Sequence, residues 1–263
     1  MSEYIRYEVA DKIATISLNR PEAANAQNGD LLDELDAAWT RAAADPEVAV
    51  IVLRAEGKHF SAGHDLKDSS WPDPSRITLD TIYEIESRRY LEYSLRWRNV
   101  PKPSIAAVQG RCIAGALLLC WPCDLIVAAD DALFSDPVVL MGIGGVEYHG
   151  HTWELGPRKA KEILFTGRPI TATEAESTGM VNTVVPRAEL DAKTRELAAH
   201  IATMPPFGLR QAKRAVNQTL DVQGFYAAIQ SVFDIHQTGH GNALSVNDFP
   251  VLMRLEQMKA NIE

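Results

Sequence analysis

The sequence predicts an α/β fold that ends in an all-helical region, and two patterns indicate it. Short β-type runs alternate with helical segments through most of the chain, which is typical of α/β proteins. After Val185 the strand signal stops, and apolar residues recur only at helical spacing. We therefore predict a mixed α/β core over residues 1–195 and a helical region over residues 196–263.

The strands are predicted from two kinds of apolar pattern. Residues 13–18 alternate apolar and polar side chains, as a half-buried strand does, whereas residues 48–53 form a continuous apolar run typical of a buried parallel strand. The charged N-terminal segment is interpreted as an opening strand. Three more strands are predicted at residues 103–108, 125–127 and 183–185.

The helices are predicted from apolar residues that recur every three or four positions. The first helix is marked by Leu31, Leu35, Ala38 and Ala42. Three others follow Pro186, over the stretches 190–204, 209–220 and 225–236. A polar, turn-rich loop with Trp71 lies between Asp65 and Thr78, and a long loop of this kind is usually functional or mobile.

The composition is that of a globular protein with an acidic balance. Of 263 residues 46% are hydrophobic, and 26 Lys and Arg stand against 35 Asp and Glu, a formal charge of −9. This balance argues against a nucleic-acid binder, which normally carries a basic stripe. The longest near-apolar run, from Cys112 to Cys123, is too short to cross a bilayer, and the charged N-terminus does not resemble a secretory signal. We expect a cytoplasmic protein without a membrane partner.

Three cysteines lie within twelve residues of an apolar stretch. Cys120 and Cys123 have the spacing of a redox or zinc motif, but we find no second CxxC and no histidine pair at metal spacing behind it. A buried structural role in a reduced interior is therefore predicted for Cys112, Cys120 and Cys123. Neither a metal nor a separate cofactor is expected.

Two glycine-bearing turns follow predicted strands and are the first candidates for a functional site. They span Gly57–Leu66 and Gly110–Leu119, and the second was interpreted as opening a helix. A strand that leads through glycine into a helix start presents free backbone N–H groups, which can hold a phosphate or a developing oxyanion. Taken singly, however, each glycine most often marks an ordinary turn.

Taken together, six segments resemble the crotonase superfamily, also called the enoyl-CoA hydratase/isomerase family, over nearly the whole chain. The segments are 19–22, 57–66, 110–124, 134–137, 166–175 and 179–186. The resemblance implies a spiral core of β-β-α turns and C-terminal helices that mediate trimerisation, so a homotrimer or a dimer of trimers is expected. It also implies an acyl-CoA thioester as substrate, with coenzyme A present only as part of that substrate.

The resemblance further implies that two backbone N–H groups polarise the thioester carbonyl and stabilise an enolate. The matching positions here are His64 and Gly115, and such a donor typically contributes about 10²–10³ in rate. Substrate-binding positions are expected around these two turns and along the acyl pocket. They are Lys58, Ala62, Asp65, Leu66, Leu118, Val138 and Gly142.

The sequence departs from the family pattern where a hydratase carries its two glutamates. Leu118 stands at the first position and Val138 at the second, and neither side chain can move a proton. Because one acid–base group typically contributes about 10²–10⁴ in rate, ordinary hydration is not expected. A specialised reaction is favoured over standard β-oxidation.

Several residues could replace the missing glutamates. Glu147 is the leading acid–base candidate, since some family members place a carboxylate one residue away; the alternative is a surface or subunit-interface ion pair. His64 could point into the pocket as a proton carrier, and His149 and His151 could titrate near neutrality. Asp136 is expected to make a local turn.

Other polar residues near the site have two possible roles each. Asp65 could cap or pair beside its turn as well as line the site. Lys58, Lys213, Arg214 and Lys259 could meet the phosphates of coenzyme A, although a solvated basic surface explains the last three equally well.

The sequence therefore favours an acyl-CoA-processing enzyme of the enoyl-CoA hydratase/isomerase type. A different enolate reaction, such as isomerisation, carbon–carbon hydrolysis or thioester hydrolysis, stays open. The alternative from another class is a non-catalytic acyl-CoA-binding protein of the same fold.

Overall fold

Nine strands form two sheets in the computed structural model, which describes residues 4–68, 77–254 and residue 257. The strands are β1 (Ile5–Ala10), β2 (Ile13–Leu18), β3 (Val50–Ala55), β4 (Ser104–Val108), β5 (Arg111–Ile113), β6 (Leu125–Ala129), β7 (Leu133–Ser135), β8 (Ile170–Thr171) and β9 (Thr183–Val185). The main sheet has the order β1-β2-β3-β4-β6-β9, and a small sheet has the order β5-β7-β8. Only the β1–β2 and β7–β8 pairs are antiparallel.

Nine α-helices connect and cover these sheets in the described part of the chain. They are α1 (Gly29–Ala44), α2 (Leu79–Glu86), α3 (Tyr93–Arg98), α4 (Leu117–Cys120), α5 (His151–Thr166), α6 (Ala172–Thr178), α7 (Leu190–Ala202), α8 (Pro206–Val222) and α9 (Phe225–Asn247). A π-helical stretch, Ser87–Glu92, joins α2 to α3. Such wide turns are rare and often occur at functional sites.

The main sheet is buried on both faces, which explains the continuous apolar runs of its strands. Alternate residues of β3 point to opposite faces: Val50 and Val52 pack with α7, whereas Ile51 and Leu53 belong to the larger core with α1. The functional candidates lie at the edge of this larger core.

The predicted fold class is confirmed, and the structure adds three very short strands. After Gly110 the chain first forms β5, and the segment Gly110–Leu119 then opens α4 through a helical turn over Ala114–Ala116, as predicted. β5, β7 and β8 have two or three residues each, too few for a periodic signal. Only helices follow Val185 in the described residues. The division at residue 195 stays a prediction; that residue lies within α7.

The cysteine cluster is buried, as predicted. Cys112, Cys120 and Cys123 are free thiols in the core, with 3.9 Å between the Sγ atoms of Cys112 and Cys120. Burial raises the pKa of the Cys120 and Cys123 thiols well above the usual value, which keeps them protonated. Their packing fills the space behind the turn that carries Gly115.

Among the described residues, no helix combines the length and apolar character that crossing a bilayer requires.

Candidate active site

The two glycine-bearing turns meet in the structure. A Cβ atom on Gly63 would lie 3.1 Å from the Gly115 nitrogen and 2.5 Å from the Ile113 carbonyl oxygen. A parallel bridge between Ser61 and Cys112 holds the two segments side by side. The backbone amides predicted as oxyanion donors therefore belong to adjoining turns.

Left-handed backbone precedes both of these amides. Gly63 has φ +84° and Ala114 has φ +48°, directly before His64 and Gly115. A left-handed alanine is unusual, and such strain persists only where the surrounding structure enforces it. The local geometry thus turns both amides away from the direction of the preceding strand.

Buried polar groups hold the first turn in place. Ser61 Oγ accepts a hydrogen bond from Gly63 N at 3.1 Å and donates one to the Asn25 carbonyl at 2.8 Å. Asn25 Nδ2 in turn donates to the carbonyls of Glu56 and His59. These bonds satisfy the backbone of an otherwise irregular loop, and Ser61 is structural here.

The His64 imidazole connects the two turns to a buried carboxylate. Its Nε2 lies 3.0 and 3.2 Å from the two carboxylate oxygens of Glu147, and its ring stacks on Tyr90 with 3.9 Å between centroids. The ring also lies 2.5–2.8 Å from the point that a Cβ on Gly115 would occupy. His64 is thus held between Tyr90 and Gly115, and its buried Nδ1 has no partner among the described residues.

Glu147 is 2% exposed, so within the chain it is not a surface ion pair. Its second neighbour is His236, whose Nε2 lies 3.8 Å from the Glu147 carboxylate. The two leading acid–base candidates, His64 and Glu147, are therefore in direct contact although 83 residues separate them. Their catalytic role stays a prediction.

The two positions at which the resemblance predicts replaced glutamates are apolar and buried. Leu118 on α4 is 1% exposed, and Val138, which begins the helical turn Val138–Met141, is 8% exposed. Gly142 ends that turn with φ +84°, where the side chain of Leu252 packs against it. The segment that follows α9 therefore covers this side of the site.

The remaining predicted binding residues lie at the surface or in ion pairs. Lys58, Ala62 and Leu66 are exposed. The Asp65 carboxylate pairs with Arg20 at 2.6 Å and accepts a hydrogen bond from Lys67 N, which matches the pairing role predicted for it.

One histidine prediction, that for His149, is wrong. The pKa of His149 falls to about 4 because burial disfavours the imidazolium and His151 adds repulsion, so His149 does not titrate near neutrality. His151 Nε2 lies 2.9 Å from the Asp136 carboxylate. Asp136 makes its local contact with Val138 N, as expected, and a second one with Val146 N that the sequence did not indicate.

Lys213 serves the fold in this chain. It pairs with Asp124 at 2.8 Å and donates to the Lys102 carbonyl, which leaves its side chain nearly buried. Arg214 is exposed. Trp71 and Lys259 lie outside the described residues.

Three buried polar residues near Glu147 were missed by sequence reasoning. They are Glu86 at the end of α2, and His236 and His240 on α9. The available signal was the four-residue spacing of the two histidines, which is a metal-ligand spacing on a helix. Burial opposes a charge on His236, but Glu147 and Glu86 outweigh it and raise its pKa to about 9.

A cavity of about 610 Å³ lies between the α2–α3 segment and α9, and it does not include the site. Its lining includes Tyr83, Leu95, Tyr226 and Phe233 but not His64, Gly115 or Glu147.

Comparison with known proteins shows which family the chain resembles. The sequence model of the enoyl-CoA hydratase/isomerase family matches residues 8–244. EchA13 of Mycobacterium tuberculosis, whose name gives enoyl-CoA hydratase as its inferred activity, is 47% identical over 259 residues, covering 91% of this chain and 81% of that protein.

Solved structures agree with this relationship. The crystal structure of a probable enoyl-CoA hydratase from Mycobacterium smegmatis is 79% identical with a TM-score of 0.93, covering 96% of this chain and 100% of that one. An enoyl-CoA hydratase/isomerase from Xanthobacter autotrophicus Py2 is 33% identical with a TM-score of 0.87, covering 100% of this chain and 97% of that one. The chain therefore belongs to the enoyl-CoA hydratase/isomerase family, the crotonase superfamily.

Proposed function

We propose that the protein forms a thioester enolate from an acyl-CoA substrate, with Glu147 and His64 as its acid–base pair. The main support for this proposal is the contact of 3.0 Å between the buried Glu147 carboxylate and His64 Nε2, beside the turn of Gly115. The backbone amides of His64 and Gly115 would hold the thioester oxygen as negative charge develops on it.

The arrangement assigns a separate role to each side chain. A carboxylate that accepts from Nε2–H leaves a lone pair on Nδ1, so Glu147 orients the ring and His64 Nδ1 receives the proton. That nitrogen is buried and has no partner among the described residues, and the imidazole ring lies against Gly115. The proton would leave the carbon next to the thioester, and its electron pair would pass into the enolate.

One acid–base pair suits isomerisation better than hydration. An isomerase removes a proton from one carbon and returns it two carbons further along, which a single group can do. Hydration instead needs one group for the water and another for the carbon, and the buried Leu118 and Val138 supply neither. We therefore infer double-bond migration in an enoyl-CoA as the favoured reaction, with other enolate reactions as alternatives.

Exchange of the α-proton tests enolate formation whatever the final product is. Butyryl-CoA is incubated with the protein in D₂O, and deuterium uptake is followed by mass spectrometry. We expect uptake with the native protein and a loss of about 10²–10⁴-fold in Glu147→Gln and His64→Gln, since each removes one acid–base element. Both variants keep the backbone amides.

Glu154→Gln is the matched control, because it makes the same change at another carboxylate inside the protein. It should keep the exchange rate. Deuterium uptake that survives in both site variants would remove the pair from the chemistry, and no uptake together with tight acyl-CoA binding would favour the non-catalytic protein. Crotonyl-CoA hydration should be at least about a hundredfold slower than in a two-glutamate relative.

A homotrimer or a dimer of trimers is proposed on the basis of the resemblance and of α8. This helix has no buried residue, and it exposes Phe207, Val216 and Val222, the last at 90%. A helix of 17 residues that buries no side chain within its own chain is available to pack against another subunit. Light scattering coupled to size-exclusion chromatography would give the oligomeric mass, and a monomer would contradict the proposal.

A further inference from the structure

A second polar cluster lies beside Glu147, at the contact between α2 and α9. It consists of Glu86, His236 and His240, all buried. The two histidines stand four residues apart, so their side chains share one face of α9. Glu86 closes the cluster from the end of α2, next to the π-helical stretch.

Three nitrogen and oxygen contacts define the cluster. His236 Nε2 lies 3.1 Å from Glu86 Oε2, and His240 Nε2 lies 3.4 Å from Glu86 Oε1. The two Nε2 atoms are 3.2 Å apart. Each partner therefore faces both of the others at a similar distance.

The hydrogen bonds of the two Nδ1 atoms determine whether the Nε2 atoms of the neutral rings carry a hydrogen. His236 Nδ1 lies 2.7 Å from the Gly145 carbonyl, and His240 Nδ1 lies 2.7 Å from the Pro250 carbonyl. A carbonyl oxygen only accepts, so each Nδ1 carries the hydrogen, and each neutral ring presents its Nε2 lone pair to the cluster. Two Nε2 atoms 3.2 Å apart beside a carboxylate are held together by a positive centre, which is either a proton on one of them or a metal ion.

We infer that Glu86, His236 and His240 bind a divalent transition metal of the zinc type. Ligands held 2.0–2.1 Å from a tetrahedral ion are about 3.3–3.4 Å apart, close to the three separations found here. Two imidazoles and one carboxylate form a donor set that suits zinc.

The surroundings of the cluster are those of a metal site. Metal-binding histidines normally donate their second N–H to a carbonyl or carboxylate, and both histidines do so here. Gln237 Nε2 donates to Glu86 Oε2 at 2.7 Å and thereby orients the carboxylate. All three ligands are thus held from outside before an ion arrives.

The site adjoins the acid–base pair without depending on it. Glu147 lies 3.8 Å from His236 Nε2, so the ion would bind next to the acid–base pair. The ion would tie α9 to α2 and to the segment that carries Gly145 and Glu147. The inference holds whether or not Glu147 takes part in catalysis.

Metal binding is tested on the full-length protein after chelation and dialysis. Isothermal titration with Zn²⁺ should give about one ion per chain, and Co²⁺ should give the intense visible bands of a tetrahedral site. Because loss of an outer-shell partner alone costs about 10–100-fold in affinity, we expect Glu86→Gln and His240→Gln each to weaken zinc binding by at least about a hundredfold.

His200→Gln is the control, because His200 is an exposed histidine on α7 and should leave binding unchanged. Circular dichroism confirms that each variant folds, and Glu86→Gln covers the case in which the histidine variant does not. Zinc affinity that is the same in Glu86→Gln and His200→Gln would overturn the inference, as would a failure of the native protein to bind zinc. The cluster would then be one in which the histidines share a proton.

Discussion

Two of the protein's buried carboxylate–imidazole contacts look alike by distance and differ in surroundings. Asp136 lies 2.9 Å from His151, and Glu147 lies 3.0 Å from His64. Both carboxylates are buried, and their chain positions differ by only eleven residues. The first pair supports the fold, and the second is the proposed acid–base pair.

The difference lies in the backbone. Asp136 accepts hydrogen bonds from the amides of Val138 and Val146, whereas no backbone amide donates to Glu147 among the described residues. Burial alone would raise the pKa of Asp136, but His151 and the two amides outweigh it and lower the pKa. Asp136 is therefore a permanent anion that fixes a loop.

The two imidazoles also differ, in how far each is exposed to solvent. His151 is fully buried at the start of α5, whereas the side chain of His64 is 21% exposed and lies against Gly115. Contact distance alone would not have distinguished the two pairs.

The largest expected effect is on stability, in Asp136→Asn. Removing this anion leaves buried partners unsatisfied, so the free energy of unfolding should fall by about 3–5 kcal/mol, as for other buried pairs. Glu147→Gln should lose clearly less, because no backbone amide depends on it. Urea unfolding at pH 7 measures the stability of both variants. Equal losses of unfolding free energy would contradict the distinction between the two pairs.

The pH dependence of stability in Asp136→Asn tests whether the charge of Asp136 is responsible. A carboxylate with a lowered folded pKa stabilises the protein above its unfolded pKa of about 3.9, and this stability is lost as the pH falls through the folded value. The difference in unfolding free energy between the native protein and Asp136→Asn should therefore become smaller below about pH 4. A constant gap would mean that the charge of Asp136 is not what stabilises the loop.

The next effect concerns the turn that carries His64. In Gly63→Ala the new methyl group would meet the Ile113 carbonyl at 2.5 Å, in addition to the strain of a left-handed alanine. In Gly179→Ala the φ value is similar, +87°, but nothing lies within 4 Å. The control should lose about 1–2 kcal/mol of unfolding free energy, and Gly63→Ala more than that.

Activity separates the two glycine variants further. Gly63→Ala should lose α-proton exchange because the two turns move apart, whereas Gly179→Ala should keep it. Full exchange activity in Gly63→Ala would show that the contact between the turns does not matter to the site.

The smallest effect on stability is expected at Glu154, a carboxylate for which we find neither an imidazole contact nor a backbone hydrogen bond among the described residues. Burial raises its pKa to about 7, and Arg98 only partly opposes this. A raised carboxyl pKa means that the native protein loses stability as the pH rises from about 4.5 through 7. Glu154→Gln should therefore be more stable at pH 8, by about 1–2 kcal/mol since the side chain stays partly exposed, and equal to native at pH 4.

Much of the fold was predictable because it depends on local pattern. The alternation in residues 13–18 and the apolar run from Val48 identified two strands of the main sheet, and the spacing of Leu31 and Leu35 identified α1. The strands β5, β7 and β8 escaped because two or three residues carry no period. The run from Val48 also began two residues before β3 does, since burial continues past the hydrogen-bonded strand.

The candidate site was predictable in its parts. The resemblance identified the turns of His64 and Gly115, and it identified Leu118 and Val138 as the replaced positions. Glu147 and His64 were each candidates for proton transfer, but nothing in the sequence indicated that they touch. Tyr90 and the cluster of Glu86, His236 and His240 were not predicted.

The sequence by itself determined the fold class, the family and the buried cysteines, because each is written in local pattern or in residue identity. The loss of both hydratase glutamates stays a prediction. Only the tertiary structure decided which polar groups meet. His64 and Glu147 are 83 residues apart, and Glu86 and His236 are 150 apart. Such contacts depend on how α2 and α9 pack against the core, and no local preference of the chain encodes that geometry.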